Sequence, residues 1–139
     1  RRSRVSDPAA IAIDGLDHVV LTVGSVERSV AFYTRILGMR VERQPGRPTA
    51  LHFGSQKFNI HQAGQEFEPK ALRPTAGGGD FCLLTALPSA EVAARLAAFG
   101  VAVELGPVAR EGACGPMMSV YFRDPDDNLV EVATPGERP

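Results

Sequence analysis

The chain has 139 residues, 44% of them hydrophobic and 22% charged, with a formal net charge of −1, which suits one domain with its own core and excludes a disordered chain. Scattered Lys and Arg exclude nucleic acid as a partner, no apolar run is long enough for a membrane helix, and the Arg-rich start (Arg1, Arg2, Arg4) precedes no secretory core segment. Cys82 in an apolar run and Cys114 in a Gly-rich loop make neither a disulfide framework nor a thiolate metal site, which points to a reducing cytoplasm.

Residues 1–13 lack periodicity and carry Asp7-Pro8, so they are expected to be a disordered tail or in part a cloning remnant. The fold is expected over residues 14–134, with 135–139 as a second tail. Leu16 to Val23 is short and rich in β-branched residues, which predicts a strand. Ser25 then reads as a helix N-cap. Val26, Val30, Tyr33 and Leu37 form an amphipathic stripe, and Gly38 supplies a left-handed end. Three short strands are expected at Met39 to Arg43, Thr49 to Phe53 and Gln56 to Ala63, divided by Pro45-Gly46 and Gly54-Ser55 turns.

Residues 64–79 hold two prolines and four glycines and read as a linker. Asp80 to Thr85 predicts a strand, Ser89 a helix cap, Val92, Leu96 and Phe99 a helix face, and Gly100 its end. Strands are expected at Val101 to Glu104, Met118 to Arg123 and Asn128 to Ala133. A Gly/Pro-rich loop follows the first of these, and the turn Asp124-Pro125-Asp126-Asp127 joins the last two.

Both halves therefore read βαβββ, with module 1 at about residues 14–63 and module 2 at about 79–134. Gly38 and Gly100, and Glu42 and Glu104, are each 62 positions apart, an offset that also carries His18 onto Asp80. The fold class is α+β: two βαβββ modules forming an open, cup-shaped mixed sheet with helices on the outer face.

Strand alternation puts His18, Val20 and Thr22 on one face and Val19, Leu21 and Val23 on the other. The same logic turns Asn59 and His61 inward while Phe58 and Ile60 pack on helix, and turns Glu131 inward while Val130 and Val132 pack. Aligning FNIHQ with NLVEV sets His61 on Glu131, 70 positions apart. His18, His61 and Glu131, with Asp80 as a fourth candidate, are thus expected to hold one divalent ion, Zn, Ni, Co, Mn or Fe. His52 faces the same side as a substrate contact or a solvated strand residue, and Lys57 and Arg123 read as surface charges.

LDHVVLTV, FYTRILGM, KFNIHQ and YFRDPDDNLVEV together resemble the vicinal oxygen chelate superfamily, across about Asp14 to Thr134. The likeness is strongest to small glyoxalase-domain, lactoylglutathione-lyase-like proteins. The resemblance implies paired modules, often within a homodimer, with metal ligands from the first and last strands of each. Such enzymes typically carry His at the position of Asp80, and glyoxalases more often carry Glu at that of His61.

What the resemblance implies for activity is a metal-dependent lyase or isomerase acting on a small substrate with adjacent oxygens, through an enediolate. Glu131 would then be the catalytic carboxylate. Two alternatives are an Fe(II)-dependent ring-cleaving dioxygenase and a non-catalytic drug-sequestering protein.

Overall fold

The computed structural model describes residues 6–139, so the expectations for residues 1–5 fall outside it. The elements run β1 (His18–Val23), α1 (Val26–Arg35), β2 (Arg40–Glu42), β3 (Thr49–Phe53), β4 (Gln56–Gln62), β5 (Asp80–Leu84), α2 (Ser89–Ala98), β6 (Leu105–Gly112), β7 (Gly115–Arg123) and β8 (Leu129–Pro135). Two four-stranded sheets result, ordered β1-β4-β3-β2 and β5-β8-β7-β6. β1/β4 and β5/β8 pair in parallel and the remaining strands antiparallel, so each half is a βαβββ module and neither sheet closes into a barrel.

In module 1 the local signals act as the sequence requires. Ser25 accepts a hydrogen bond from the Arg28 N–H at 3.2 Å, satisfying a donor that the first helical turn leaves unpaired. Gly38, at φ +66°, lets the chain leave the helix without a Cβ clash.

Module 2 departs from expectation in two places. Ser89 does not cap α2: Pro88 holds the cap position without a side-chain bond, and Ser89 is a buried helical residue. The missing acceptor comes from far along the chain, because both Glu137 carboxylate oxygens accept from the Ser89 N–H at 3.1 Å. The C-terminal residues are therefore fastened rather than a tail, and β8 itself continues to Pro135. Glu137→Ala is expected to lower stability by about 1 kcal/mol, measurable by urea titration, because the Ser89 N–H at a helix N-terminus loses its side-chain acceptor.

The second departure is β6. Val101 to Glu104 forms no strand, and the strand lies instead in the Gly/Pro-rich segment expected to be loop. A register shift between Leu105 and Val108 takes up Gly106-Pro107, and the backbone of Ser119 approaches so closely that a Cβ at Gly106 would sit 2.4 Å from its carbonyl oxygen. Only glycine fits there. Beyond the bulge β6 pairs with β7 as far as Gly112 and Gly115.

Leu21, Val23, Val30, Tyr33, Leu51, Phe58 and Ile60 bury one core; Val92, Leu96, Val120, Phe122, Val130 and Val132 bury the other. Phe32, Leu37, Phe81 and Leu83 pack against both, so the modules share apolar contact, and Phe58 meets Phe81 with ring centroids 4.9 Å apart. A buried polar clasp adds to this. The hydroxyl of Tyr33, on α1, donates to Asp124 at 2.7 Å, and Asp124 also accepts from the Asp126 N–H, the Asn128 N–H and the Asn128 side-chain amide.

Candidate functional site

The sheet registers decide where each candidate donor lies. In module 1 His18 pairs with Lys57, and His61 pairs with Thr22, four residues further along β1. At about 3.3 Å per residue, His18 and His61 stand roughly 13 Å apart along the strands, so the two imidazoles do not meet. In module 2 Asp80 pairs with Leu129 and Cys82 with Glu131. The counterpart of Glu131 is thus Asn59, 72 positions earlier, and not His61. The alignment at 70 is corrected by two residues, a slip that keeps every side chain on its face and changes only its height.

The same separation shows in the surface clefts. His18 lines one with Cys82 and Leu84, whereas Asp80 and His61 line another with Thr22. Among the described residues no three His, Cys, Asp or Glu side chains of one chain are grouped to hold a metal ion.

Each donor is nevertheless prepared by its neighbours. The His18 side chain is 42% exposed, and its Nδ1 lies 2.8 Å from the Asp17 carboxylate, which the ring in turn holds below the usual carboxylate range. Nδ1 thus donates to a carboxylate while Nε2 points away from it, the tautomer and orientation that metal-binding histidines use. On the other sheet, Glu131 Oε2 accepts from the Ser119 hydroxyl at 2.6 Å, leaving Oε1 available. Asp80 follows on the same face, two positions along the ladder.

Cys82 adjoins this group as the ladder partner of Glu131. Desolvation among the strands, then the adjacent Glu131 charge, pushes its thiol up to about 11, so it stays protonated at neutral pH. Tyr121 is paired with Glu131 across β7/β8, and its hydroxyl accepts from the Arg110 guanidinium at 2.9 Å.

His61 has a different setting. It is 5% exposed, lies against Phe67 with ring centroids 5.5 Å apart, and lines a cleft of about 790 Å³ between β1, β5 and the linker. Burial lowers its pKa, so the folded protein prefers the neutral ring. A depressed pKa adds stability that is whole above the unfolded value near 6.5 and is lost as pH falls through the folded value. Unfolding free energy measured from pH 7 to 5 is expected to fall, and His61→Leu to remove part of that slope.

The remaining sequence candidates fill structural places. His52 Nε2 lies 2.9 Å from Glu42, and Arg123 grips Glu104 with two nitrogens at 2.9 and 3.0 Å. The residues that sequence reasoning missed, Asp17, Ser119 and the linker wall, had one readable signal: Asp17 stands directly before His18. Ser119, and the pairing of Thr22 with His61, become legible only with the register in hand.

The chain matches the family model of the Glyoxalase/Bleomycin resistance protein/Dioxygenase superfamily over residues 15–132. It is 45% identical over 121 residues to virulence protein STM3117 of Salmonella typhimurium, covering 87% of this chain and 84% of that protein. The crystal structure of STM3117 superposes with a TM-score of 0.86, at 44% identity, covering 89% of this chain and 98% of the other. An integron cassette protein from the mobile metagenome of V. Pseudocholerae, VPC_CASS1, superposes with a TM-score of 0.88 at 42% identity, covering 92% and 99%. Glyoxalase domain-containing protein RDO1 of Mycosarcoma maydis is 45% identical over 124 residues, 89% of this chain and 70% of that protein.

Proposed function

Because the chain belongs to the Glyoxalase/Bleomycin resistance protein/Dioxygenase superfamily, we propose that it is a metal-dependent, glyoxalase-like lyase or isomerase whose centre is completed between two copies. The observation that carries this reading is the pair of half-prepared donor sets. His18 has Nδ1 tied to Asp17, Glu131 has Oε2 tied to Ser119, they lie on different sheets, and among the described residues no three such donors of one chain are grouped for an ion. A homodimer in which His18 of one copy meets Asp80 and Glu131 of the other supplies one imidazole and two carboxylates. That set fits a hard or borderline divalent ion.

Exposed apolar strand residues support the dimer. Val19, Val20 and Leu84 are 41%, 43% and 69% exposed along the edge strands β1 and β5, which a partner surface would cover. When bound, the ion supplies Lewis acidity toward a substrate with two adjacent oxygens. The chain's own contribution is the base: with Oε2 held by Ser119, Glu131 Oε1, once released from the ion, would take the proton from the carbon beside the carbonyl and return it to the neighbouring carbon. Ser119 fixes the carboxylate's direction and Asp17 that of His18.

Elemental analysis of protein purified without chelator, with an assay of hemithioacetal isomerisation, tests the reading. About one ion per chain is expected, lost in His18→Ala, with turnover abolished in Glu131→Gln. Full metal content in His18→Ala, or unchanged turnover in Glu131→Gln, overturns it; ligand binding with neither metal nor turnover favours a sequestering protein.

A further inference from the structure

The cleft lined by His61 shares Asp80 with the donor sets above, which leave its other polar groups unused. Its volume, about 790 Å³, lies in the range of small-molecule pockets. On its wall His61 and Thr22 are cross-strand neighbours, 5% and 9% exposed, and among the described residues neither side chain makes a hydrogen bond. Neither group is sealed from solvent, so the imidazole and the hydroxyl present their polar atoms to the cleft, where a ligand oxygen can replace water.

The rest of the wall fixes the kind of ligand. Val20, Leu21 and Phe81 give an apolar surface. Lys70 already pairs with Glu68 at 2.8 Å, so Arg73 is the cation on this wall without a carboxylate partner among the described residues. Guanidinium groups take carboxylates in a planar two-bond fork. Asp80, on the same wall, repels a second anion, which places the ligand's charge at Arg73 and its uncharged oxygen at His61 and Thr22.

We propose that this cleft binds a small organic carboxylate with an apolar body and a second oxygen, the carboxylate held by Arg73 and the second oxygen by His61 and Thr22. The cleft shares Asp80 with the proposed donor set and Val20 with the proposed dimer face, but the three groups that would hold the ligand, Arg73, His61 and Thr22, come from a single chain and include no proposed metal ligand.

Calorimetric titration of the purified protein with benzoylformate, and separately with its neutral amide, tests this. Saturable binding of benzoylformate is expected, weaker by about tenfold in Arg73→Ala and in Thr22→Val, with the amide weaker than the acid. The chain has three histidines, so imidazole proton resonances are assignable by single substitution, and the ligand is expected to shift that of His61 while leaving His52 in place. This measurement on the unaltered protein needs no variant to fold. Absence of saturable binding, equal affinity for acid and amide, or a shift confined to His18 overturns the proposal. Repeating the titration after EDTA treatment and in Glu131→Gln separates it from the metal-centre reading: the pocket survives both changes, and the metal centre does not.

Discussion

Asp124→Ala is expected to cost about 3–5 kcal/mol of folding stability, more than any single substitution at the candidate site. Asp124 is 4% exposed and accepts four hydrogen bonds of 2.7 to 2.9 Å, from the Tyr33 hydroxyl, the Asp126 and Asn128 N–H groups and the Asn128 amide. Tyr33 and Asn128, 0% and 1% exposed, have no water to turn to when that carboxylate is removed. The loss is therefore the full desolvation penalty of several buried donors, and it falls on the contact between α1 and the β7–β8 turn.

Tyr33→Phe removes one of those bonds and is expected to cost about 1.5–3 kcal/mol, the range for a hydrogen bond to a charged group. It also has a pH signature. Burial, then the Asp124 charge, raises the Tyr33 hydroxyl far above its ordinary value near 10. A raised folded pKa leaves the contribution whole below pH 10 and removes it as pH climbs above that value. Urea titrations from pH 8 to 11 are expected to show stability falling above pH 10, with a shallower fall in Tyr33→Phe. Equal slopes, or an Asp124→Ala protein as stable as the parent, would contradict the clasp.

The DPDDN turn illustrates what a sequence displays. Its turn chemistry was legible because Asp and Pro act locally. Its role as a clasp was not, because Tyr33 lies 91 residues away. The two modules were readable for the same local reason: caps, glycine ends and alternation repeat at fixed spacing. β6 escaped because Gly106 and Pro107, which break most strands, are here absorbed by a register shift against β7. The cap on α2 escaped because its acceptor, Glu137, comes from 48 residues downstream.

The candidate site divides along a similar line. Side-chain alternation has a period of two residues, so it determined the face of His18, His61, Asp80 and Glu131 but carried no information on height. A slip of two residues passed through that reasoning unseen and put His61 beside His18. Only the ladder, His61 with Thr22 and Cys82 with Glu131, sets the heights. Those heights separate His18 from His61 and set Asp80 and Glu131 on the other sheet, so among the described residues the four candidates form no single centre.

A mixing experiment distinguishes a centre shared between copies from one built within a chain. His18→Ala and Glu131→Gln proteins, each alone, are expected to lose activity by about a hundredfold or more, since every site in either homodimer lacks one member. Mixed in equal amounts and allowed to exchange subunits, half of the dimers carry one copy of each. In such a dimer one site joins the intact His18 of one protomer to the intact Glu131 of the other, while the second site collects both lesions. Activity is then expected to return to about one quarter of the unmixed parent. If both residues instead served a site within their own chain, every site in the mixture would keep exactly one lesion and nothing would return. Metal content follows the same arithmetic, so the result is readable even before the natural substrate is identified.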